Sequence, residues 1–383
     1  MRVNSYDEWS PLREVIVGSG LAYESHELEL SFKLFFHDVV NSSFYYPTYE
    51  VSGNDTRSQV RPLLNRRYVE ELDEDLDEFV AALEQASVLV HRPTPLSTPA
   101  EFATPTWRAT MIPALNVRDQ VIIFGDEILE TAPQMRARYF ENDLLKPLFY
   151  GYFTAGSRWT TMPRPIMTDR SFDTSHISGQ NTPAIQGVAN PQPSEFDTGF
   201  EMMIDGAQCV RFGRDVIVNV STKNHELAAT WLKLHLENRF RVHVMRRFAD
   251  NHIDSLVLPL RPGLLLLRNP MVADQLPAPL RSWDRIYAPE PNESIFPSYE
   301  DDDLILSSPY IDMNVLSINE HTVVANSLFP ELIAVLEGAG FTVVPVRHRH
   351  RRLFGGGFHC FTLDTVRDGG LEDYFQSASW GDD

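Results

Sequence analysis

A cysteine near the C-terminus has the local setting of a catalytic nucleophile. Cys360 ends the stretch FGGGFHC, residues 354–360. A free cysteine is often only a small buried hydrophobe, but three glycines allow the backbone to approach a ligand closely and to turn where other residues cannot. These features favour nucleophilic catalysis by Cys360. The neighbouring His359 would point away from the thiol in an extended segment, so we do not expect it to be the base.

A histidine and a carboxylate that could serve such a thiol lie upstream, in Asn251-His252-Ile253-Asp254. In an extended strand His252 and Asp254 would share one face, where the carboxylate could orient or charge the imidazole. The alternative is a core histidine that hydrogen bonds to the backbone. Together with Cys360, the pair predicts an enzyme that uses a cysteine nucleophile.

Two aspartates that lie close to apolar runs form a third cluster. Asp119 precedes residues 121–124, and Asp205 precedes Cys209. Taken singly, such residues are more often turn residues than ligands. A thiolate combined with several carboxylates would suit a cationic planar group such as a guanidinium, whose donors carboxylates accept in pairs. The sequence lacks a closely spaced Cys/His ligand set, so we predict no metal site.

Composition narrows the class of substrate. The chain has 383 residues, 43% of them hydrophobic, and a formal net charge of −20. This charge argues against nucleic acid or an anionic membrane as partner and favours a small molecule. Apolar runs such as 264–267 are far too short to span a membrane. With two cysteines and no charged-then-apolar leader, we expect a cytoplasmic protein with reduced thiols, in which Cys209 is structural.

Short β-branched runs alternate with amphipathic stretches, which predicts an α/β fold. No clean linker interrupts residues 1–383, so we expect a single catalytic domain. Two irregular segments, 162–193 and 288–303, are candidate lids, although the second could equally be a solvated excursion. The predicted strands are 14–17, 87–90, 121–124, 216–220, 241–245, 255–258, 314–318, 322–325 and 342–346. The predicted helices are 68–86, 127–150, 225–239 and 330–337.

Six motifs in order along the chain resemble the arginine amidinotransferases, which include arginine:glycine amidinotransferase and the inosamine-phosphate amidinotransferases. The resemblance spans nearly the whole chain and implies a five-bladed, pseudo-symmetric α/β propeller of strand-strand-helix-strand modules around a polar channel, the fold of the guanidine-modifying superfamily. The motifs are residues 4–18, 118–119 with 125–130, 158–165, 252–254, 313–316 and 355–360.

The same resemblance implies roles for individual residues. Cys360 corresponds to the nucleophile, His252 to the general acid and base, and Asp254 to the partner of that histidine. Asp119 and Asp205 correspond to the carboxylates that grip the guanidinium. The remaining implied substrate-binding residues are Ser307, Ser308, Arg268 and Asn251.

The chain departs from the family pattern at three places. The family often has a second acidic residue three positions after the one that corresponds to Asp205, and this chain has Gln208 there. The glycine-using enzyme has a carboxylate-binding arginine in the stretch where residues 269–272 of this chain read NPMV. The residue that binds the substrate carboxylate is therefore unassigned. Arg268 lies next to this stretch. Asn251 stands in place of a methionine and could alter acceptor choice.

The resemblance implies transfer of the amidino group of L-arginine to a primary amine through a covalent amidino-cysteine, with release of L-ornithine. It implies no cofactor and a possible homodimer. Hydrolysis of the same intermediate to citrulline is the alternative, because it requires the same groups and differs mainly in access of water. A guanidine-binding protein without turnover is a third, weaker alternative.

Overall fold

The computed structural model describes residues 1–24, 29–36, 64–175, 194–249, 251–292, 295–299 and 305–375. The strands in this part of the chain are β1 (Leu12–Val17), β2 (Leu89–His91), β3 (Ala100–Ala103), β4 (Arg108–Met111), β5 (Val121–Phe124), β6 (Glu127–Glu130), β7 (Arg158–Thr161), β8 (Cys209–Phe212), β9 (Asp215–Val220), β10 (Arg241–Arg246), β11 (Val257–Arg261), β12 (Leu264–Leu267), β13 (Asp284–Tyr287), β14 (Leu316–Asn319), β15 (Thr322–Asn326), β16 (Thr342–Val346) and β17 (Thr362–Arg367). The α-helices are α1 (Leu30–Phe35), α2 (Arg66–Gln85), α3 (Val117–Gln120), α4 (Lys146–Thr154), α5 (Lys223–Leu236), α6 (Pro270–Gln275), α7 (Pro330–Gly338) and α8 (Arg351–Phe354). Among these helices we find none with the length and apolarity that a membrane crossing requires.

Within the described residues, five three-stranded sheets repeat one pattern, which confirms the predicted α/β propeller. In each sheet two strands pair antiparallel, a helix follows, and a third strand pairs parallel to the second. The sheets are β17-β1-β2, β5-β6-β7, β8-β9-β10, β11-β12-β13 and β14-β15-β16. The first sheet takes β17 from the other end of the chain, so the pairing of β17 with β1 brings the C-terminal strand back to the start. Strands β3 and β4 form an additional hairpin.

Helix α2 shows how the pattern buries each helix. Leu72, Leu76, Phe79 and Leu83 recur at helical spacing and are all almost fully buried. The side chain of Asn65 caps the helix by accepting a hydrogen bond from the Arg67 amide, which satisfies one of the free amides of the first turn. This apolar face packs with β1 and residues of β14 to β16 in one core cluster.

The predicted helix 127–150 is wrong over its first part. Glu127–Glu130 is strand β6, paired with β5, and the helix begins only at Lys146. The turn between the two strands contains Gly125 at φ +62°, a conformation that glycine adopts readily. The helix-favouring glutamates are held by distant partners, since Glu130 accepts from Trp159 and Asn142. Tertiary contacts therefore override the local preference.

Most other predicted elements are present with shifted ends. The structure also contains several short strands that the sequence did not predict. Strands 121–124 and 342–346 are confirmed residue for residue. The strand predicted at 255–258 begins at Val257, because Ile253–Ser255 is a helical turn. The missed strands are β3, β4, β6, β7, β8, β12, β13 and β17, most of which span only four residues. Residues 176–193, 293–294 and 300–303 of the two irregular segments lie outside the described residues.

A buried ionic cluster joins the N-terminal segment to several modules. Arg211 on β8 binds Glu8 at 2.8 Å and Asp364 on β17 at 2.7 Å. Arg118 contacts the same two carboxylates, at 3.2 and 2.8 Å, and Arg367 binds Asp364 at 2.6 Å. Although burial opposes ionisation, these cations hold the pKa of Glu8 and of Asp364 below their usual range. Each carboxylate is therefore charged and paired in the folded protein.

We expect Glu8→Gln to destabilise the fold strongly, because it leaves the buried Arg211 and Arg118 short of a counter-charge. Removing one partner of a buried ion pair costs about 3–5 kcal/mol of unfolding free energy, which denaturant titration measures. The control is Arg13→Gln, which breaks an exposed ion pair with Asp368 and should change stability little. Equal small effects of the two substitutions would contradict a structural role of the cluster.

Candidate active site

A cavity of about 330 Å³ brings the predicted site residues together. It lies where the ends of several modules meet, and its walls combine aromatic side chains with charged ones. Every predicted site residue lines it except Asp205, which lies behind His252. The predicted lining residues are Cys360, His252, Asp254, Asp119, Asn251, Arg268, Ser307 and Ser308.

The glycine run before Cys360 is packed too closely for side chains. A Cβ on Gly356 would lie 2.2 Å from Asn116 Oδ1, and a Cβ on Gly357 would lie 2.7 Å from Asn314 Cβ. Gly355 adopts φ +67°. The Cys360 amide then donates to Asn314 Oδ1 at 2.8 Å. The glycines therefore let the backbone pack closely against Asn116 and Asn314, and Asn314 fixes the backbone of Cys360.

His252 is held by Asp205 rather than by Asp254. Its Nε2 lies 3.0 Å from Asp205 Oδ2, and its Nδ1 lies 3.8 Å from Asp119 Oδ1. Burial lowers the pKa of His252, but the charges of Asp119 and Asp205 outweigh burial and raise it to about 9. The imidazole is therefore protonated at neutral pH. The Phe35 ring of α1 covers it edge-on at 5.5 Å.

Asp205 sits in a local hydrogen-bond network that accommodates the departure at Gln208. Asp205 caps the helical turn Gly206–Gln208, where its side chain accepts from the Gln208 amide and the Gln208 side chain accepts from the Asp205 amide. Gln120 also donates to Asp205 Oδ1, at 3.1 Å. Gln208 thus completes a capping box, as an acidic residue would.

Asp254 lies beside the thiol instead. Its Oδ2 accepts from Asn314 at 3.0 Å and pairs with His359 Nδ1 at 2.8 Å, and the Cys360 sulfur lies 3.7 Å from the same oxygen. Burial would raise the pKa of Asp254, but the hydrogen bond from His359 and the nearby charges lower it. The expected partnership of Asp254 with His252 rested on an extended strand. The helical turn at Ile253–Ser255 separates the two side chains.

Two carboxylate oxygens in the cavity are left for a ligand. Asp119 Oδ2 binds Arg138 at 2.6 Å, whereas Asp119 Oδ1 is buried without a hydrogen-bond donor among the described residues. The contacts of Asp254 that we describe involve its Oδ2. Buried polar atoms normally find partners, and a guanidinium offers N–H groups with the geometry that paired carboxylates accept. The cavity therefore has the polarity expected of a guanidinium site.

Burial and the neighbouring carboxylates keep the Cys360 thiol neutral. Burial raises the pKa of Cys360 well above its usual value, and the charges of Asp254 and Asp119 raise it further. Arg118 and a hydrogen bond from the Gly357 backbone oppose this shift only partly. A positively charged ligand between the carboxylates would reverse their effect on the thiol.

Asp119, Asp205 and His252 place three possible metal ligands within 4.8 Å of one another. Both Asp205 oxygens and Asp119 Oδ2 already have protein partners: Gln120 and His252 bind Asp205, and Arg138 binds Asp119 Oδ2. A protonated imidazole has no lone pair for a metal. The cluster is better suited to organic cations than to a metal ion.

The remaining predicted residues form the outer part of the cavity. Ser307 Oγ donates to the Arg351 carbonyl at 3.1 Å, Ser308 Oγ accepts from the Tyr310 amide at 3.3 Å, and Asn251 Oδ1 accepts from Gln134 at 3.1 Å. Sequence reasoning missed three residues that hold the site: Asn314, Arg138 and His359. Asn314 lies in the motif at residues 313–316 and His359 adjoins Cys360, but their roles depend on contacts between distant segments.

Comparison with curated proteins identifies the family. Inosamine-phosphate amidinotransferase 1 of Streptomyces glaucescens is 32% identical over 375 residues, covering 97% of this chain and 99% of the relative. L-arginine:L-lysine amidinotransferase of Pseudomonas savastanoi pv. phaseolicola is 32% identical over 383 residues, covering 97% and 96%. The chain belongs to the amidinotransferase family. Mitochondrial glycine amidinotransferase of Gallus gallus, at 30% identity over 380 residues, agrees. No protein-family model matches the chain.

Solved structures support the same assignment. An amidinotransferase of the saxitoxin biosynthetic pathway from Microseira wollei is 33% identical with a TM-score of 0.78, covering 97% of this chain and 99% of that one. Inosamine-phosphate amidinotransferase from Streptomyces griseus is 32% identical with a TM-score of 0.79 and the same coverage. A dimethylarginine dimethylaminohydrolase, 13% identical with a TM-score of 0.54, shares the fold. This amidinotransferase is a transferase that acts on small molecules.

We expect Asp254→Asn to speed alkylation of Cys360 in the amidinotransferase at neutral pH. Removing the negative charge beside the thiol lowers its pKa, so a larger fraction is thiolate. The rate is measured with iodoacetamide by peptide mass spectrometry, which separates Cys360 from the buried Cys209. Asp143→Asn, which removes an exposed charge paired with Lys146, is the control. An unchanged or slower rate in Asp254→Asn would show that its charge does not suppress the thiolate.

Proposed function

We propose that the amidinotransferase moves the amidino group of L-arginine to a primary amine and releases L-ornithine, with Cys360 as the covalent carrier. One observation carries the proposal. Two buried carboxylates, Asp119 and Asp254, line the cavity that holds the thiol, and Asp119 Oδ1 lacks a donor among the described residues.

In the first step the guanidinium of arginine binds Asp119 and Asp254. Its positive charge offsets the two carboxylates that raise the pKa of Cys360, so the thiol gives up its proton to solvent and becomes the thiolate when substrate is present. The carboxylates also hold the planar group in one orientation, which places its central carbon for attack. In this assignment Asp254 takes the guanidinium role first expected of Asp205.

Asp205 instead supports the acid and base. The Cys360 sulfur attacks the guanidino carbon, and His252, protonated because its pKa is about 9, gives its proton to the departing nitrogen of ornithine. The C–N bond breaks, which leaves an amidino group on sulfur and a neutral imidazole. The acceptor amine then attacks the amidino carbon and returns a proton to His252 as the thiolate leaves. Asp205 stabilises the imidazolium before and after this cycle.

Transfer, rather than hydrolysis, requires that water be kept from the intermediate. Tyr23, Phe35, Phe36 and Phe354 contribute aromatic rings to the cavity wall, and the first three come from the N-terminal part of the chain. This apolar wall favours a bound amine over water.

The wider setting follows from the relatives. They act on inosamine phosphate and L-lysine or belong to a saxitoxin pathway, so we place this enzyme in the biosynthesis of a guanidino-containing secondary metabolite. We further propose that residues 1–383 form one catalytic domain, that the enzyme needs no cofactor, and that it acts in the cytoplasm as a homodimer. The homodimer is tested by sedimentation velocity, where a single monomeric species would exclude it.

Cys360→Ala should abolish ornithine release from L-arginine while the protein remains folded. Intact-protein mass spectrometry of the wild-type enzyme with arginine should show an amidino adduct on Cys360, and the variant should show none. Cys209→Ala removes the other thiol and should keep the adduct. Ornithine formation by Cys360→Ala at the wild-type rate would refute the covalent mechanism.

The first half-reaction should lose rate as the pH rises through about 9, because His252 must be protonated to expel ornithine. Asp205→Asn removes a charge that raises this pKa, so the alkaline limb should move to lower pH. The limb is measured from single-turnover ornithine release against pH. Glu226→Gln, at an exposed ion pair with Arg246, should leave it in place. A limb at the same pH in Asp205→Asn would exclude His252 as the titrating acid.

A further inference from the structure

Gln134 links three segments around the site, although it does not line the cavity itself. It lies on the loop that follows β6, and its side-chain oxygen is 2.6 Å from His225 Nε2 on α5. Its side-chain nitrogen donates to Gln208 Oε1 at 2.8 Å and to Asn251 Oδ1 at 3.1 Å. Gln208 ends the helical turn that Asp205 caps, and Asn251 directly precedes the catalytic histidine. One amide thus joins the two segments that carry the acid and its carboxylate.

Two backbone amides fix the direction of these hydrogen bonds. The Ser221 amide donates to His225 Nδ1 at 3.2 Å, so the ring proton lies on Nε2 and is donated to Gln134 Oε1. The Asp205 amide donates to Gln208 Oε1 at 3.0 Å, and this oxygen accepts a second hydrogen bond from Gln134. Both sides therefore require the same orientation of the Gln134 amide, with its oxygen toward α5 and its nitrogen toward the site.

Asn219, near the end of β9, holds the backbone of the segment that precedes the catalytic histidine. Its side-chain oxygen accepts from the amides of Phe248 and Ala249, at 3.2 and 3.1 Å. Its side-chain nitrogen donates to the carbonyls of Ala249 and Asn251, each at 2.8 Å. The backbone up to Asn251 is therefore fixed without Gln134, whereas the Asn251 side chain is held by Gln134. A change at Gln134 is thus expected to loosen the site and to leave the fold intact.

His252 depends on this alignment because its contact with Asp205 spans the two segments. Its Nε2 lies 3.0 Å from Asp205 Oδ2. The charges that face the imidazole belong to Asp119, Asp205 and Asp254, and the thiol in the same cavity is neutral. Asp119 and Asp254 are held by other partners, as described above. Of the three carboxylates, Asp205 is therefore the one whose contact with the imidazole runs through the segments that Gln134 joins.

We propose that Gln134 is a positioning residue for the acid and base of this enzyme. It keeps the turn of Asp205 aligned with the segment of His252, so that the imidazole stays within hydrogen-bond distance of this carboxylate in both half-reactions. This role rests on the proposed function and extends it to a residue outside the cavity. None of the three hydrogen bonds of Gln134 reaches Asp119 or Asp254, which bind the guanidinium in the proposed function. Gln134 therefore contributes to the rate and not to the binding of arginine.

Gln134→Met tests this role, because methionine keeps the length of the side chain and removes its three hydrogen bonds. Single-turnover ornithine release at saturating L-arginine should slow by about 2- to 10-fold, the range of one hydrogen bond. The arginine concentration that gives half the maximal rate should stay unchanged. The alkaline limb of the pH–rate profile should move to lower pH, because a looser contact with Asp205 raises the pKa of His252 less.

Three further variants connect the effect to the Asp205 contact. In the Asp205→Asn background, Gln134→Met should not move the limb further, since the contact through which it acts is already weakened. Asn251→Ala removes the acceptor on the histidine segment and should move the limb in the same direction as Gln134→Met. Gln275→Met makes the same exchange at an exposed residue that ends α6, and it should leave the rate and the limb unchanged.

An unmoved limb in Gln134→Met, with or without a slower rate, would overturn the positioning role, and so would a further shift in the Asp205→Asn background. If Gln134→Met does not fold, a limb at the wild-type pH in Asn251→Ala overturns the role instead. These outcomes leave the proposed function intact as long as the wild-type enzyme forms the amidino adduct on Cys360. Absence of that adduct in the wild-type enzyme would instead refute the proposed function itself.

Discussion

A buried carboxylate that keeps its charge is the constraint on which this site depends. Asp254 is desolvated, yet Asn314 and His359 both bind its Oδ2, and its pKa falls below the usual range. His359 in turn faces Glu8 with its other ring nitrogen, at 3.4 Å. The charge beside the thiol is thus continuous with the ionic cluster that also ties Arg211 and the terminal strands together. Stability and chemistry share one buried network.

The same charges explain why Cys360 becomes a thiolate only when the cationic substrate binds. Burial and the nearby carboxylates keep Cys360 protonated, whereas His252 is protonated because its neighbours are anionic. Nearby negative charge therefore acts in opposite senses on the two groups: it disfavours the thiolate and favours the imidazolium. A bound guanidinium changes the first effect and leaves an acid ready for the leaving group. A pair of groups with pKa values pushed apart is the usual sign of an acid and nucleophile with distinct roles.

Fold closure assembles these groups from distant parts of the chain. Asp119 comes from α3 before the second sheet, His252 from the segment between β10 and β11, and Cys360 from the segment before β17. Each lies at a connection next to a module's first strand, where short loops on a rigid scaffold can present side chains to a shared cavity. The repeated module thus determines the position of each catalytic side chain, and the sequence of each connecting loop determines its residue type.

The sequence by itself determined the inventory and its chemistry. The glycine run marked Cys360, the six ordered motifs indicated the family, and the residue types implied a guanidinium substrate. Helix α2 was readable because its apolar spacing is local. The sequence did not reveal strand β6, because tertiary partners hold its helix-favouring residues, as Trp159 and Asn142 hold Glu130.

Tertiary structure decided which carboxylate serves which partner. Asp205 and Asp254 have the same side chain, and the local sequence favoured Asp254 as the partner of His252, because Asp254 lies only two positions after His252. A single helical turn at Ile253–Ser255 directs Asp254 away from His252 and toward the thiol, and the capping box at Gly206–Gln208 brings Asp205 to the imidazole. Hydrogen bonds depend on distance and direction between residues that are remote in sequence, and only the folded chain specifies these.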